Sequence, residues 1–228
     1  MEHLVRDPVL RTRVYHLKGE GMAFKVTVTL RARMVEKWIR GVKRDFLDAA
    51  ATKCVGLDSE FTYPRVRNQR AAILQLSVAS ETLVFQIIHA DKVPQVLKDF
   101  LQDGNIRFCG AAIGNDVKNL SPYGIHITSA YDLQKVVPNP TTKPTPSLYD
   151  LANYTIGTNL EQKKKYNNKK MDVAAQEKED ELIFGWTNYP LSYEQVHYAA
   201  PDARLGFEIS RKHWMLVGYN SHVDHLNI

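Results

Sequence analysis

Asp58 and Glu60 stand two residues apart, directly after the apolar run Cys54-Val55-Gly56-Leu57. At the end of a strand this spacing sends both carboxylates to one face, about 6–7 Å apart along it. Like charges so close repel, and such a pair is tolerated chiefly where cations neutralise it; hard carboxylate oxygens suit Mg2+ or Mn2+. Asp116 follows Gly110-Ala111-Ala112-Ile113-Gly114-Asn115, where a strand hands over to a helix. Asp202 lies four residues after Tyr198 in a helical stretch, so that phenol and carboxylate share a helical face. Each feature alone has an ordinary reading: a solvent-facing strand end, a helix N-terminal acid favoured by the macrodipole, a routine surface pair. The conjunction changes the odds, because four acids recur in order at strand ends and helix starts that can converge on one sheet edge.

The elements that must position these acids follow from periodicity. Residues 12 to 30 alternate around Gly19-Glu20-Gly21 and predict a hairpin. Val35, Trp38, Ile39, Val42, Phe46 and Leu47 recur at helical steps. Lys53 to Phe61, Ala71 to Val78 and Thr82 to Ile88 predict three consecutive antiparallel strands. A helix is expected over Val93 to Leu101, a strand over Ile106 to Ile113, and a helix from Asn115 to Leu120 that stops at Ser121-Pro122-Tyr123-Gly124. Further helices are expected over Ser147 to Tyr154 and Tyr193 to Val217, the latter with Ser192 as N-cap. Residues 162 to 180 are nearly all polar and read as an exposed loop or a solvated helix. The fold class expected is α/β, a mixed sheet flanked by helices.

Bulk properties narrow the partners. The chain has 228 residues, 44% of them hydrophobic and 24% charged, enough for one compact domain. Cys54 and Cys109 are too few for a disulfide framework and read as reduced core thiols, which predicts a protein of the cytoplasm or nucleus. No segment approaches membrane-spanning length and the start, Met1-Glu2-His3-Leu4, lacks a signal pattern, so no membrane partner is expected. A formal net charge of +5 suits a polyanionic partner, though a surplus this small is as often a solvated surface.

The ordered motifs Val55-Gly56-Leu57-Asp58-Ser59-Glu60-Phe61 with Ile73-Leu74-Gln75-Leu76-Ser77-Val78, Cys109-Gly110 to Asp116, and Trp186 to Leu191 running into Tyr198-Ala199-Ala200-Pro201-Asp202-Ala203 carry a resemblance. Over residues 50 to 215 the chain resembles the DEDD exonucleases of the ribonuclease H-like (DnaQ-like) superfamily. Specifically, it is similar to the tyrosine-containing branch that includes the Werner syndrome exonuclease domain, and the front end resembles small stand-alone plant exonucleases. The resemblance implies a ribonuclease H-like fold with a central mixed five-stranded sheet, preceded by an N-terminal hairpin and helix. It implies one exonuclease domain over 1–228, with 1–50 as the front end and 51–217 as the catalytic core.

It also implies hydrolysis of single-stranded nucleic acid from the 3′ end by two Mg2+ or Mn2+ ions about 3.5–4 Å apart. Asp58 is expected to bridge both ions, with Glu60, Asp116 and Asp202 completing their coordination and Tyr198 orienting the attacking water. A phenol with an ordinary pKa near 10 is a poor base at neutral pH, so positioning is the more economical role. His197 occupies the spacing used by the sister branch's general base, but neighbouring helix residues point about 100° apart, and the surrounding residues favour Tyr198. Pro201 departs from the small polar residue usual before the last acid, and predicts a kink or restart of the final helix.

Arg65, Arg67 and Arg70 follow the first motif, and with Phe61 and Tyr63 they read equally as a phosphate-holding, base-stacking loop or as a charged solvent loop. RNA is slightly favoured over DNA as substrate. The alternatives are a Werner-type exonuclease acting on DNA 3′ ends and a non-catalytic nucleic-acid-binding scaffold. Assembly into a homo-oligomer, or with a protein partner in RNA or DNA metabolism, is compatible with the sequence.

Overall fold

The computed structural model describes residues 11–19, 21–62, 69–161, 180–182 and 184–223, the last eight as backbone only. The lysine-rich stretch within 162–179 and the arginine loop over 63–68 lie outside the described residues. Strands β1 (Thr12–Gly19) and β2 (Met22–Thr29) form the expected hairpin, and β3 (Lys53–Phe61), β4 (Ala71–Val78) and β5 (Glu81–Phe85) form the antiparallel meander. Beyond β3, the strands β6 (Ile106–Gly110) and β7 (Ala130–Asp132) add in parallel. Strand β2 pairs in parallel with β5, so the hairpin does not stand apart from a five-stranded sheet but extends it to seven strands, β1-β2-β5-β4-β3-β6-β7.

Helices cover both faces. Helix α1 (Ala32–Val42), α2 (Gln95–Gln102) and α3 (Gly114–Leu120) bury Val35, Trp38, Leu97, Phe100 and Leu120 against Val55 and Leu57 of β3. On the other face lie a short α4 (Leu133–Val136), α5 (Leu148–Ile156) and the long α6 (Tyr193–Val223). There Leu17 and Phe24 of the hairpin pack with Ala199 and Ala200, and Cys109 packs with Leu151 and Leu205. With helices on both sides, β4 is buried along its whole length, which is why apolar residues fall on both of its faces, with only Gln75 and Ser77 polar. Among the described residues no helix is long and apolar enough to cross a membrane.

Several boundaries differ from expectation for local reasons. The strand expected to reach Ile88 ends at Phe85, because Ile87–His89 turn into a 3-10 helix whose only buried side chain is Ile87. The strand expected to reach Ile113 ends at Gly110, since Ala112 takes a left-handed φ of 55° and turns the chain into α3. Helix α1 continues as a wider turn over Lys43–Leu47, which keeps Leu47 in the core. Strand β7 and α4, three and four residues long, are too short to leave a periodic signature.

Helix α6 starts as predicted: Gln195 N–H donates to Ser192 Oγ (3.1 Å) and Ser192 N–H donates to Gln195 Oε1 (3.0 Å), a reciprocal cap. It does not restart at Pro201. The helix runs through the proline, held down by the buried Ala199, Ala200, Ala203 and Leu205, and this packing outweighs the one backbone hydrogen bond that proline removes.

The β4–β5 turn places Ala79 at φ 49°, a left-handed geometry that penalises a Cβ. Ala79→Gly removes that penalty at the cost of a looser unfolded chain, and is expected to raise unfolding stability by about 0.5–1 kcal/mol, read by denaturant titration.

Candidate active site

Strand alternation divides β3 between the two layers. Val55 and Leu57 face α1 and α2, whereas Gly56, Asp58 and Glu60 face α6. At Gly56 the helix backbone comes so close that a Cβ would overlap the Ala203 carbonyl and the Phe207 amide. Gly206 makes the reciprocal approach, its missing Cβ lying 2.9 Å from the Cys109 carbonyl of β6. This backbone-on-backbone seat lowers Asp202 onto the strand. One carboxylate oxygen each from Asp58, Glu60 and Asp202 then lies within 4.8 Å of the others, and all three residues are half-buried. A register shift between Glu60 and Phe61 ends the regular pairing beside the cluster, as bulges near active sites often do.

Tyr198 faces this cluster. Burial raises its phenol pKa well above the usual range, and the charges of Glu60, Asp202 and Asp58 push it further, so the group is neutral at physiological pH. Trp186, almost fully buried, packs against its ring at 5.8 Å between centroids. His197 points elsewhere: it is exposed and stacks on Tyr193 at 6.0 Å. Tyr149 of α5, which carried no signal in the sequence, donates its hydroxyl to Asp202 Oδ1 at 3.4 Å. Burial, then the charge of Asp202, raise its pKa too.

Asp116 sits apart from the group of three. Ser59, on the β3 face opposite Asp58 and Glu60, donates its hydroxyl to Asp116 Oδ1 at 2.5 Å. Burial pushes the Asp116 carboxyl up to about 7; the Ser59 hydrogen bond opposes the shift and the Asp132 charge adds to it. Asp132 also accepts the Ala112 N–H at 3.0 Å and caps α4 at Gln134 N (3.1 Å), fixing the turn that delivers Asp116.

The donor set suits a hard divalent cation. Three carboxylates this close, if all ionised, repel by a few kcal/mol per pair at an effective dielectric of about 20, and oxygen-seeking Mg2+ or Mn2+ removes that repulsion. Of the nucleic-acid contacts expected from sequence, Phe61 is half-buried at the end of β3. Arg70 is exposed, its guanidinium 5.5 Å from the Tyr123 ring centroid. Tyr63, Arg65 and Arg67 lie outside the described residues.

A sequence model described as 3′-5′ exonuclease matches residues 41–216. The chain belongs to the 3′-5′ exonuclease family. It is 30% identical over 164 residues to the bifunctional 3′-5′ exonuclease/ATP-dependent helicase WRN of Mus musculus, a match covering 69% of this chain and 11% of that protein. It is 26% identical over 191 residues to the putative 3′-5′ exonuclease R431 of Acanthamoeba polyphaga mimivirus, covering 81% of this chain and 44% of that one. The chain thus spans less than half the length of either relative. Among solved structures, the catalytic core of RRP6 from Trypanosoma brucei superposes with a TM-score of 0.63 at 16% identity, covering 86% of this chain and 48% of that one. Escherichia coli RNase D gives 0.61 at 17% identity, covering 82% and 44%. The Aedes aegypti Nibbler EXO domain gives 0.59 at 13%, covering 88% and 89%. The fold is therefore the ribonuclease H-like α/β fold of this exonuclease family.

Sequence reasoning missed Gly56, Gly206, Tyr149, Ser59 and Asp132. Gly56 did carry a signal, since a glycine inside a strand marks a bulge or a close backbone approach. Gly56→Ala is expected to lift α6 off β3, destabilising the protein by about 1–3 kcal/mol and abolishing any activity that needs Asp202 beside Asp58, checked by thermal unfolding alongside a nuclease assay. The Asp116 shift has its own signature. A carboxyl with a raised folded-state pKa binds more protons folded than unfolded, so metal-free stability falls as pH rises from the ordinary carboxylate range to about 7, then levels. Asp116→Asn is expected to flatten that slope in urea titrations between those limits.

Proposed function

We propose that the chain hydrolyses the 3′-terminal phosphodiester of single-stranded nucleic acid, RNA ahead of DNA, with Asp58, Glu60 and Asp202 holding two divalent cations and Asp116 completing their coordination. The observation that carries this reading is the three-carboxylate group within 4.8 Å, faced by Tyr198. When bound, Mg2+ or Mn2+ supplies the positive charge that polarises the phosphoryl group and lets water attack at neutral pH. Tyr198 stays a neutral phenol and so acts through its Oη as a hydrogen-bonding guide for the attacking water, not as the base that takes its proton. Trp186 fixes the tyrosine ring, and Tyr149 fixes Asp202. Ser59 holds Asp116 through Oδ1, and the near-neutral titration of Asp116 makes its ionised state accessible once cations are near.

RNase D is described as an exoribonuclease involved in structured RNA processing, whereas the mouse relative is an exonuclease joined to a helicase. DNA 3′ ends are accordingly the second reading. A non-catalytic scaffold would follow from Pro201 displacing Asp202, and Asp202 lies with its partners.

The test uses 5′-labelled single-stranded RNA, matched DNA and duplexes with a 3′ overhang. Stepwise shortening from the 3′ end is expected only with Mg2+ or Mn2+, is lost in Asp58→Ala, and falls about 10–100-fold in kcat in Tyr198→Phe, more than in His197→Ala. Shortening in excess chelator, or from the 5′ end, would overturn the reading.

A further inference from the structure

A cavity of about 330 Å3 opens between the hairpin and the α5–α6 pair. Its floor is apolar, with Leu17, Met22 and Phe24 from the hairpin and Pro201 and Leu205 from α6, and its inner wall is made by Tyr149 and Tyr198. Those two tyrosines are also the ones that face the carboxylates: the Tyr149 hydroxyl reaches Asp202 Oδ1 at 3.4 Å. Cavity and carboxylates are therefore separated by little more than a phenol ring. Lys18, His197 and Glu161 stand on the rim, offering a donor, a group able to do either, and an acceptor.

We propose that this cavity is a nucleobase subsite, taking the base of one of the two nucleotides that flank the cleaved linkage; the assignment rests on the exonuclease reading. The volume lies at the small end of ligand clefts, which run from about 300 to 1,000 Å3, and suits a single nucleotide-sized group. Aromatic and apolar walls accept the face of any base, and a rim of mixed donors and acceptors matches a base edge. The apolar floor offers a bare phosphate no partner, and Glu161 offsets the charge of Lys18 at the rim.

His197 and Pro201, neither of which the carboxylate site uses, both line this cavity. Pro201 withholds the N–H that a helix would direct at the His197 carbonyl. The hairpin wall lies outside the 41–216 family match. That wall is also preformed. Strand β2 continues the sheet, and the Arg204 guanidinium, paired with Glu208 at 2.6 Å, lies 5.9 Å from the Phe24 ring centroid.

The experiment measures fluorescence-anisotropy binding of 5′-labelled oligonucleotides without divalent metal. The oligonucleotides are intact, abasic at the 3′-terminal position, or abasic at the penultimate one. The proteins are wild type, Met22→Trp, which fills the cavity from a half-buried position, and Lys18→Ala, an exposed change that cannot unfold the chain. In the wild type, removing the base at one of the two positions is expected to weaken binding about tenfold. Met22→Trp should bring the intact strand down to the abasic level while leaving abasic binding unchanged, and Lys18→Ala should narrow the gap a few-fold. Equal losses on intact and abasic strands, or no base dependence in the wild type, would overturn the subsite. A wild type that shortens RNA or DNA without base dependence refutes the subsite and spares the exonuclease reading, whereas base-dependent binding without shortening does the reverse. Should Met22→Trp shift the thermal midpoint, Lys18→Ala decides: a narrowed gap supports the subsite and an unchanged gap refutes it.

Discussion

The site depends on how closely one helix can lie on one strand. Helix α6 meets β3 and β6 at the level of backbone atoms, because Gly56 and Gly206 present no Cβ to hold the elements apart. Two residues beyond Gly56 on the same face stands Asp58, and one turn before Gly206 stands Asp202. Closing the gap between the elements therefore closes the gap between the carboxylates. Ordinary helix-on-sheet packing, with side chains interdigitating between the layers, would leave these acids too far apart to share an ion.

That proximity has an electrostatic consequence which the surroundings intensify. Half-buried carboxylates within 4.8 Å of one another repel when ionised, and burial, reinforced by their charge, keeps Tyr198 and Tyr149 protonated. Asp116 answers the pressure differently. It is deeply buried on the other side of β3, held by the Ser59 hydroxyl and titrating near neutrality. An acidic centre of this kind is unfavourable by itself and becomes favourable with divalent cations, so metal binding and the local fold are coupled.

The hairpin changes what surrounds the centre. By continuing the sheet through β2 and β5 it brings Leu17, Met22 and Phe24 opposite α6. It thus walls off a cavity that shares its tyrosines with the carboxylate site. A front end that the family match does not include is in this way built into the same sheet as the family core.

Much of this was legible in the amino-acid order alone. Periods of two and of about 3.6 residues located the hairpin, the meander and the long helices, and Asp-x-Glu at a strand end with Tyr-x3-Asp on a helix named the residues that gather. Short elements such as Ala130–Asp132 escaped because three residues define no period, and with them escaped Asp132 and the turn that aims Asp116. The restart expected at Pro201 does not occur, because packing offsets the proline's local cost. The sequence by itself determined which groups are the candidates for the chemistry, since residue type and spacing along one strand or helix are local properties. Only the tertiary structure decided that three acids close into a group while the fourth pairs with Ser59, and that Tyr149 joins them. Those relations depend on how closely separate elements approach, and that distance is set by packing across the sheet.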